Sequence, residues 1–138
     1  MKSFTLIVAS LLLCLSCNQE KPGMHAFQPE NMMVRMAEIE VAPEYLEEYL
    51  SILKEEAKTS VEVEPGVIVI YPMYQKSHPN QIRLLEIYAD KDAYEAHLQT
   101  PHFKHYKSAT LPMVRSLELV EMEAIDPDAM PTIFRKLK

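Results

Sequence analysis

Tryptophan is absent from this chain of 138 residues, glycine occurs only at positions 23 and 66, and the two cysteines, Cys14 and Cys17, both lie near the N-terminus. Each scarcity excludes something. With so little glycine there is no G-x-G-x-x-G, G-x-x-x-x-G-K or G-x-S-x-G pattern, which removes the loops that cradle nucleotide phosphates and the usual hydrolase elbow. No thiol follows Cys17, so the body of the chain has neither an internal disulfide nor a cysteine nucleophile and must be held by packing. Positive charge is also short. Lys and Arg number 14 against 20 Asp and Glu, a net charge of -6 that becomes -7 if Lys2 leaves with a leader. That balance, with no basic stripe beyond the terminal "FRKLK", argues against nucleic acid as a partner.

The longest apolar run, Phe4 to Leu15, is interrupted only by Thr5 and Ser10 and follows Lys2. It is shorter than the ~20 residues needed to cross a bilayer and fits the apolar region of an export signal, so residues 1–16 are expected to lie outside the mature fold. The stretch resembles a bacterial lipoprotein signal, which implies lipidation at Cys17 and a place in the cell envelope, facing the periplasm or exterior and touching the membrane only through the lipid. Cys14 and Leu15 depart from the usual residues of such signals, which leaves a plain secretory signal as the alternative. Residues 17–31, polar and without periodicity, read as a tether.

What remains is one domain, since 48% hydrophobic and 25% charged residues are globular values and the length suits a single core. "MMVRMAEIEV" alternates with Ala37, Ile39 and Val41 on one face, as a half-buried strand does. "APEYLEEYLSILKEEAKTSV" places Tyr45, Leu46, Tyr49, Leu50 and Leu53 at three- and four-residue steps, predicting an amphipathic helix. "EPGVIVIYPMYQ" and "IRLLEIYAD", separated by a turn at "HPNQ", predict a hairpin in which Pro72 belongs at an edge or bulge. Asp90 is the expected N-cap of a short helix and Thr100 with Pro101 opens another. A final strand covers "MVRSLELVEMEAI", and residues 126–138 trail off as a tail.

Strand, helix, two strands, helix pair, strand is the order of an α+β, ferredoxin-like βαββαβ fold: an antiparallel sheet with helices on one face. Val67, Val69 and Tyr71 fall on one side of the second strand and Ile68 and Ile70 on the other, so both faces look buried. A second copy of the sheet is the natural cover, and a homodimer is expected.

"EPG" followed by "EIYADKDAYEAHLQTPHF" resembles the antibiotic biosynthesis monooxygenase (ABM) family, small dimeric α/β-barrel proteins that include quinol and anthrone oxygenases. The likeness spans the domain at 32–125. It implies a monooxygenase that needs no metal, flavin or other cofactor, because a deprotonated aromatic or quinol-like substrate can itself pass an electron to dioxygen. The same fold family contains haem-degrading proteins and an isomerase, and fold alone does not choose among them. The first strand offers Ala37 and Ile39 where the haem-degrading branch presents an asparagine, and with no tryptophan in the chain haem breakdown is disfavoured.

Such chemistry needs a base, donors for an oxyanion and a cavity that excludes water. Glu86 shares strand parity with Ile82, Leu84 and Tyr88, an acid on an apolar face: either a base with raised pKa or a strand-end carboxylate satisfied by a neighbouring donor. His97 shares a helix side with Tyr94 and Ala93, where imidazole could exchange a proton or merely cap the helix end. These two are the expected catalytic pair. Tyr71, Tyr88, Tyr94, His102 and Phe103 are the expected pocket residues, each also readable as core or dimer seam. His102 and His105 have metal-ligand spacing but no third ligand at supporting spacing, so no metal is expected. Two other functions stay open: a non-catalytic dimer holding a small apolar ligand, and an isomerase using the same cavity.

Overall fold

The computed structural model describes residues 28–136; the expected export signal, Cys17 and most of the expected tether lie outside them. Within this span the chain folds into a single four-stranded antiparallel sheet in the order β2-β3-β1-β4, formed by β1 (Met33–Val41), β2 (Val67–Gln75), β3 (His78–Tyr88) and β4 (Val114–Met122). Helices α1 (Leu46–Val63), α2 (Lys91–His97) and α3 (Pro101–Thr110) join the strands, and a short α4 (Met130–Arg135) closes the described chain. This is the ferredoxin-like α+β arrangement.

The alternation in β1 has the expected result: Ala37, Ile39 and Val41 are buried. Their register partners on β3, Leu84 and Ile82, are buried with them and form the sheet half of the core. On α1 the buried stripe is Tyr49, Leu53, Glu56, Ala57 and Ser60, later along the helix than the periodicity suggested. Pro43–Tyr45 forms a separate 3₁₀ turn that leaves Tyr45 exposed. The residues expected to turn at "HPNQ" belong instead to β3. The hairpin turns at Lys76 and Ser77, and Pro79 is tolerated because β3 at that end lies beyond its pairing with β1. Pro72 sits on edge strand β2, as its missing donor requires.

β2 departs from simple alternation. A bulge between Val67 and Val69 puts both Val67 and Ile70 among the buried residues and shifts the side chains from Val69 to Tyr74 to the other face. Tyr71 therefore pairs beside Leu85 on the helix-free face and is 60% exposed.

The start of α2 is set by Asp90, whose carboxylate accepts the Ala93 N–H at 2.7 Å, and the start of α3 by Thr100, whose hydroxyl accepts the Phe103 N–H at 3.3 Å. α2 lies close to the beginning of β2 at Gly66. The Ala89 N–H donates to the Gly66 carbonyl at 2.8 Å, and a Cβ at Gly66 would stand 2.4 Å from the Ala93 Cβ. Gly66→Ala should consequently cost about 1–3 kcal/mol of stability in urea denaturation, because neither backbone can retreat freely. Ala93→Gly in the Gly66→Ala background should recover part of that loss, offset by about 1 kcal/mol for glycine in a helix. Additive costs in this double-mutant cycle would show that the close approach is not what the glycine serves.

Candidate active site

A cavity of about 330 Å³ lies between the sheet and α1, α2 and α3. Its floor comes from the helix-facing side chains of the strands: Ala37 and Ile39 of β1, Leu84, Glu86 and Tyr88 of β3, Ile70 of β2, and Leu117 and Leu119 of β4. Tyr94, His97, Phe103 and Tyr106 of the helices line the opposite wall. Leu111, Leu117 and Leu119 remain 72%, 57% and 46% exposed, which leaves the cavity open on the β4 side.

Glu86 stands at the cavity wall, half-buried, with its Oε2 accepting a hydrogen bond from the Tyr88 hydroxyl at 3.2 Å. Desolvation pushes its pKa above the ordinary carboxyl range, although the Tyr88 hydrogen bond and the positive charge of Arg35 act in the other direction. Arg35 on β1 is the register partner of Glu86 on β3 and of Glu121 on β4. Its Nε donates to Glu121 Oε1 at 3.1 Å, and the guanidinium lies over the Tyr94 ring at 4.3 Å from the centroid. Only 6% exposed, it gives the cavity a fixed positive charge beside the carboxyl.

His97 is 2% exposed and packed among rings, 4.7 Å from Phe103 and 5.5 Å from Tyr88 between centroids. Neither ring nitrogen is unaccompanied. Nδ1 lies 2.9 Å from Glu64 Oε1, and Nε2 lies 3.6 Å from Oε1 of buried Glu56. Burial raises the Glu56 pKa, against the hydrogen bond that Ser60 Oγ donates to its Oε1 at 2.9 Å. Burial acts in the same direction on Glu64, but hydrogen bonds with His97 and His102 outweigh it and hold that carboxyl below the usual range. Behind Tyr106, its hydroxyl shares a 2.8 Å hydrogen bond with that of fully buried Tyr49; burial pushes the Tyr106 phenol up to about 12 and the Tyr49 phenol higher still.

Of the residues singled out from sequence, Glu86, His97, Tyr88, Tyr94 and Phe103 all reach the cavity wall. Two do not. Tyr71 is carried to the opposite face by the β2 bulge, and His102 binds Glu64 at 2.6 Å outside the cavity lining. Sequence reasoning missed Arg35, Glu56, Glu64 and Tyr106. Arg35 shares parity with Ala37 and Ile39, and Glu56 falls seven residues after Tyr49 on the apolar stripe of α1, so both could have been found as charges on apolar faces. Glu64, just past a helix end, carries no such signal.

The model of the family described as "Antibiotic biosynthesis monooxygenase" matches residues 32–109. A protein of Bacteroides thetaiotaomicron VPI-5482, provisionally described as an antibiotic biosynthesis monooxygenase, is 50% identical over 71% of this chain and 93% of its own, with a TM-score of 0.70. A provisionally described monooxygenase of Lactobacillus acidophilus NCFM is 31% identical over 68% of this chain and 45% of its own, with a TM-score of 0.67. One from Fusobacterium nucleatum is 28% identical over 70% of this chain and 44% of its own, with a TM-score of 0.65. The chain thus corresponds to under half the length of these last two. A comparison with curated proteins finds no match. Family match and 50% identity both extend over most of the domain that builds the cavity, and on these grounds the chain belongs to the antibiotic biosynthesis monooxygenase family.

Proposed function

We propose that the protein is a cofactor-independent monooxygenase that oxidises a small aromatic or quinol-like molecule with dioxygen. The observation that carries this reading is the Glu86 carboxyl at the wall of a largely apolar cavity, with the Arg35 guanidinium across the strand register. Glu86 takes the phenolic proton and Arg35 stabilises the resulting anion, which is electron-rich enough to reduce dioxygen. One oxygen atom enters the ring and the other leaves as water, with the quinol supplying all four electrons, so no external reductant is required. A volume of about 330 Å³ suits a substrate of one or two rings. His97, held by carboxylates on both sides, positions Glu56 and the ring wall and gives the cavity its polar edge.

The open β4 side and its exposed leucines support a homodimer in which a second copy completes the enclosure. An envelope location through a lipid on Cys17 belongs to the same proposal. The test is oxygen consumption by purified protein across a panel of quinols and polyphenols, with His97→Ala as a comparison. Oxygen-dependent turnover of at least one of them is expected, reduced in the variant. Turnover that persists without oxygen would favour an isomerase, and ligand retention without turnover a binding module.

A further inference from the structure

The outer side of the cavity wall gathers one carboxylate and two imidazoles from three helix ends. Glu64 is the C-cap of α1, His97 the last residue of α2, and His102 the second residue of α3. Glu64 Oε1 lies 2.9 Å from His97 Nδ1 and 2.6 Å from His102 Nε2, and the three ligand atoms all fall within 4.8 Å of one another. We propose that Glu64, His97 and His102 bind a divalent transition-metal ion of the zinc type, which clasps the ends of α1, α2 and α3.

Two imidazole nitrogens and a carboxylate oxygen are a donor set that suits zinc with a fourth position left to water. Tetrahedral bonds of about 2.0–2.1 Å put neighbouring ligand atoms roughly 3.4 Å apart. The two pairs to Glu64 need therefore spread by less than about 1 Å, while the two nitrogens, which lie within 4.8 Å of each other, must settle at the same spacing; side-chain torsions can supply both adjustments. With side chains 12% and 20% exposed, Glu64 and His102 leave an entry path that His97, at 3%, does not.

A second feature points to a ligand independently. The far nitrogen of His97 faces the buried Glu56 carboxyl at 3.6 Å, and Glu56 is itself anchored by Ser60. A carboxylate hydrogen-bonded behind an imidazole holds a metal-bound histidine in the required tautomer and orientation, and Glu56 would reach that role by closing the 3.6 Å gap by roughly 0.6 Å. Helix ends add to this. The C-termini of α1 and α2 both meet here and favour a cation, against the single N-terminus of α3. A clasp also suits a domain that has no cysteine to cross-link it.

Neither Glu64 nor His102 lines the cavity, so the ion lies outside the wall that holds Glu86 and is joined to it only through His97. No step of the proposed oxidation passes through it. His105 shares the short spacing with His102 but is exposed and outside the cluster, which makes it a control.

Tag-free protein stripped with a chelator is to be titrated with Zn²⁺ by calorimetry and with Co²⁺ by visible absorption. Expected are one ion per chain, visible Co²⁺ bands of low coordination number, and a Tm rise of roughly 10 °C at about 100 times the dissociation constant. His102→Ala and Glu64→Gln should each weaken binding more than tenfold, and Glu56→Gln by about 10–100-fold, while His105→Ala leaves it unchanged. Circular dichroism of the metal-free variants separates lost ligation from lost fold. Absence of stoichiometric binding would overturn the proposal, as would affinity that survives both His102→Ala and Glu64→Gln in folded protein. These outcomes do not depend on whether any quinol is turned over.

Discussion

Glu86→Gln is expected to lower oxygen-dependent turnover by about 10²–10⁴-fold, the usual contribution of a positioned base, without loss of the fold. Glutamine keeps the shape and the ability to accept from Tyr88 but cannot take a proton. The same substitution should raise stability at neutral and higher pH. Desolvation raises the folded-state pKa of Glu86 above its unfolded value, so the stabilising contribution of the neutral acid is fully present below the ordinary carboxyl range and lost as pH climbs through the raised value. Glutamine has no ionised form and escapes that loss. In the wild type, turnover should therefore increase with pH through the same raised pKa as stability declines. Urea denaturation across pH beside a pH–rate profile reads both. A Glu86→Gln enzyme with wild-type turnover would remove the base assignment.

Tyr88→Ala should destabilise the domain by about 3–5 kcal/mol, among the largest effects of any single change, whereas Tyr88→Phe should cost no more than about 0.5–1.5 kcal/mol. Tyr88 is 1% exposed and packs edge-on against Tyr94 at 5.3 Å, so truncation leaves a void between sheet and α2 that rigid neighbours cannot fill. Phenylalanine retains the ring and removes only the hydroxyl donated to Glu86. Because that hydrogen bond favours the charged carboxylate, its loss should move the pH–rate profile to higher pH. Equal stability of the alanine and phenylalanine variants would mean that the ring does not bear on the core, and an unmoved profile would separate the phenol from Glu86.

Much of this is legible in the sequence. Apolar alternation in β1 and β3 and the caps at Asp90 and Thr100 are local facts, determined by side-chain period and by which backbone donors a helix leaves unpaired. Glu86 could be recognised for the same reason: a charge set in an apolar period stands out. Where a local irregularity intervened, the reading slipped. The bulge in β2 reversed the parity of Tyr71, and the tight turn at Lys76 and Ser77 drew His78 and Pro79 into a strand.

The cluster of Glu64, His97 and His102 and the facing pair of Arg35 and Glu86 are of a different kind. Glu64 lies 33 residues before His97, and Arg35 and Glu86 come from different strands, so nothing in one segment announces the other. The sequence by itself determined the strand and helix periods, the capping residues, the lack of cross-links and the presence of an acid on an apolar face, because each depends only on near neighbours along the chain. Tertiary structure alone decided which charges meet, since strand register sets Arg35 beside Glu86 and the convergence of helix ends brings Glu64 within hydrogen-bonding distance of His97 and His102, a constraint that acts through space and leaves no local trace.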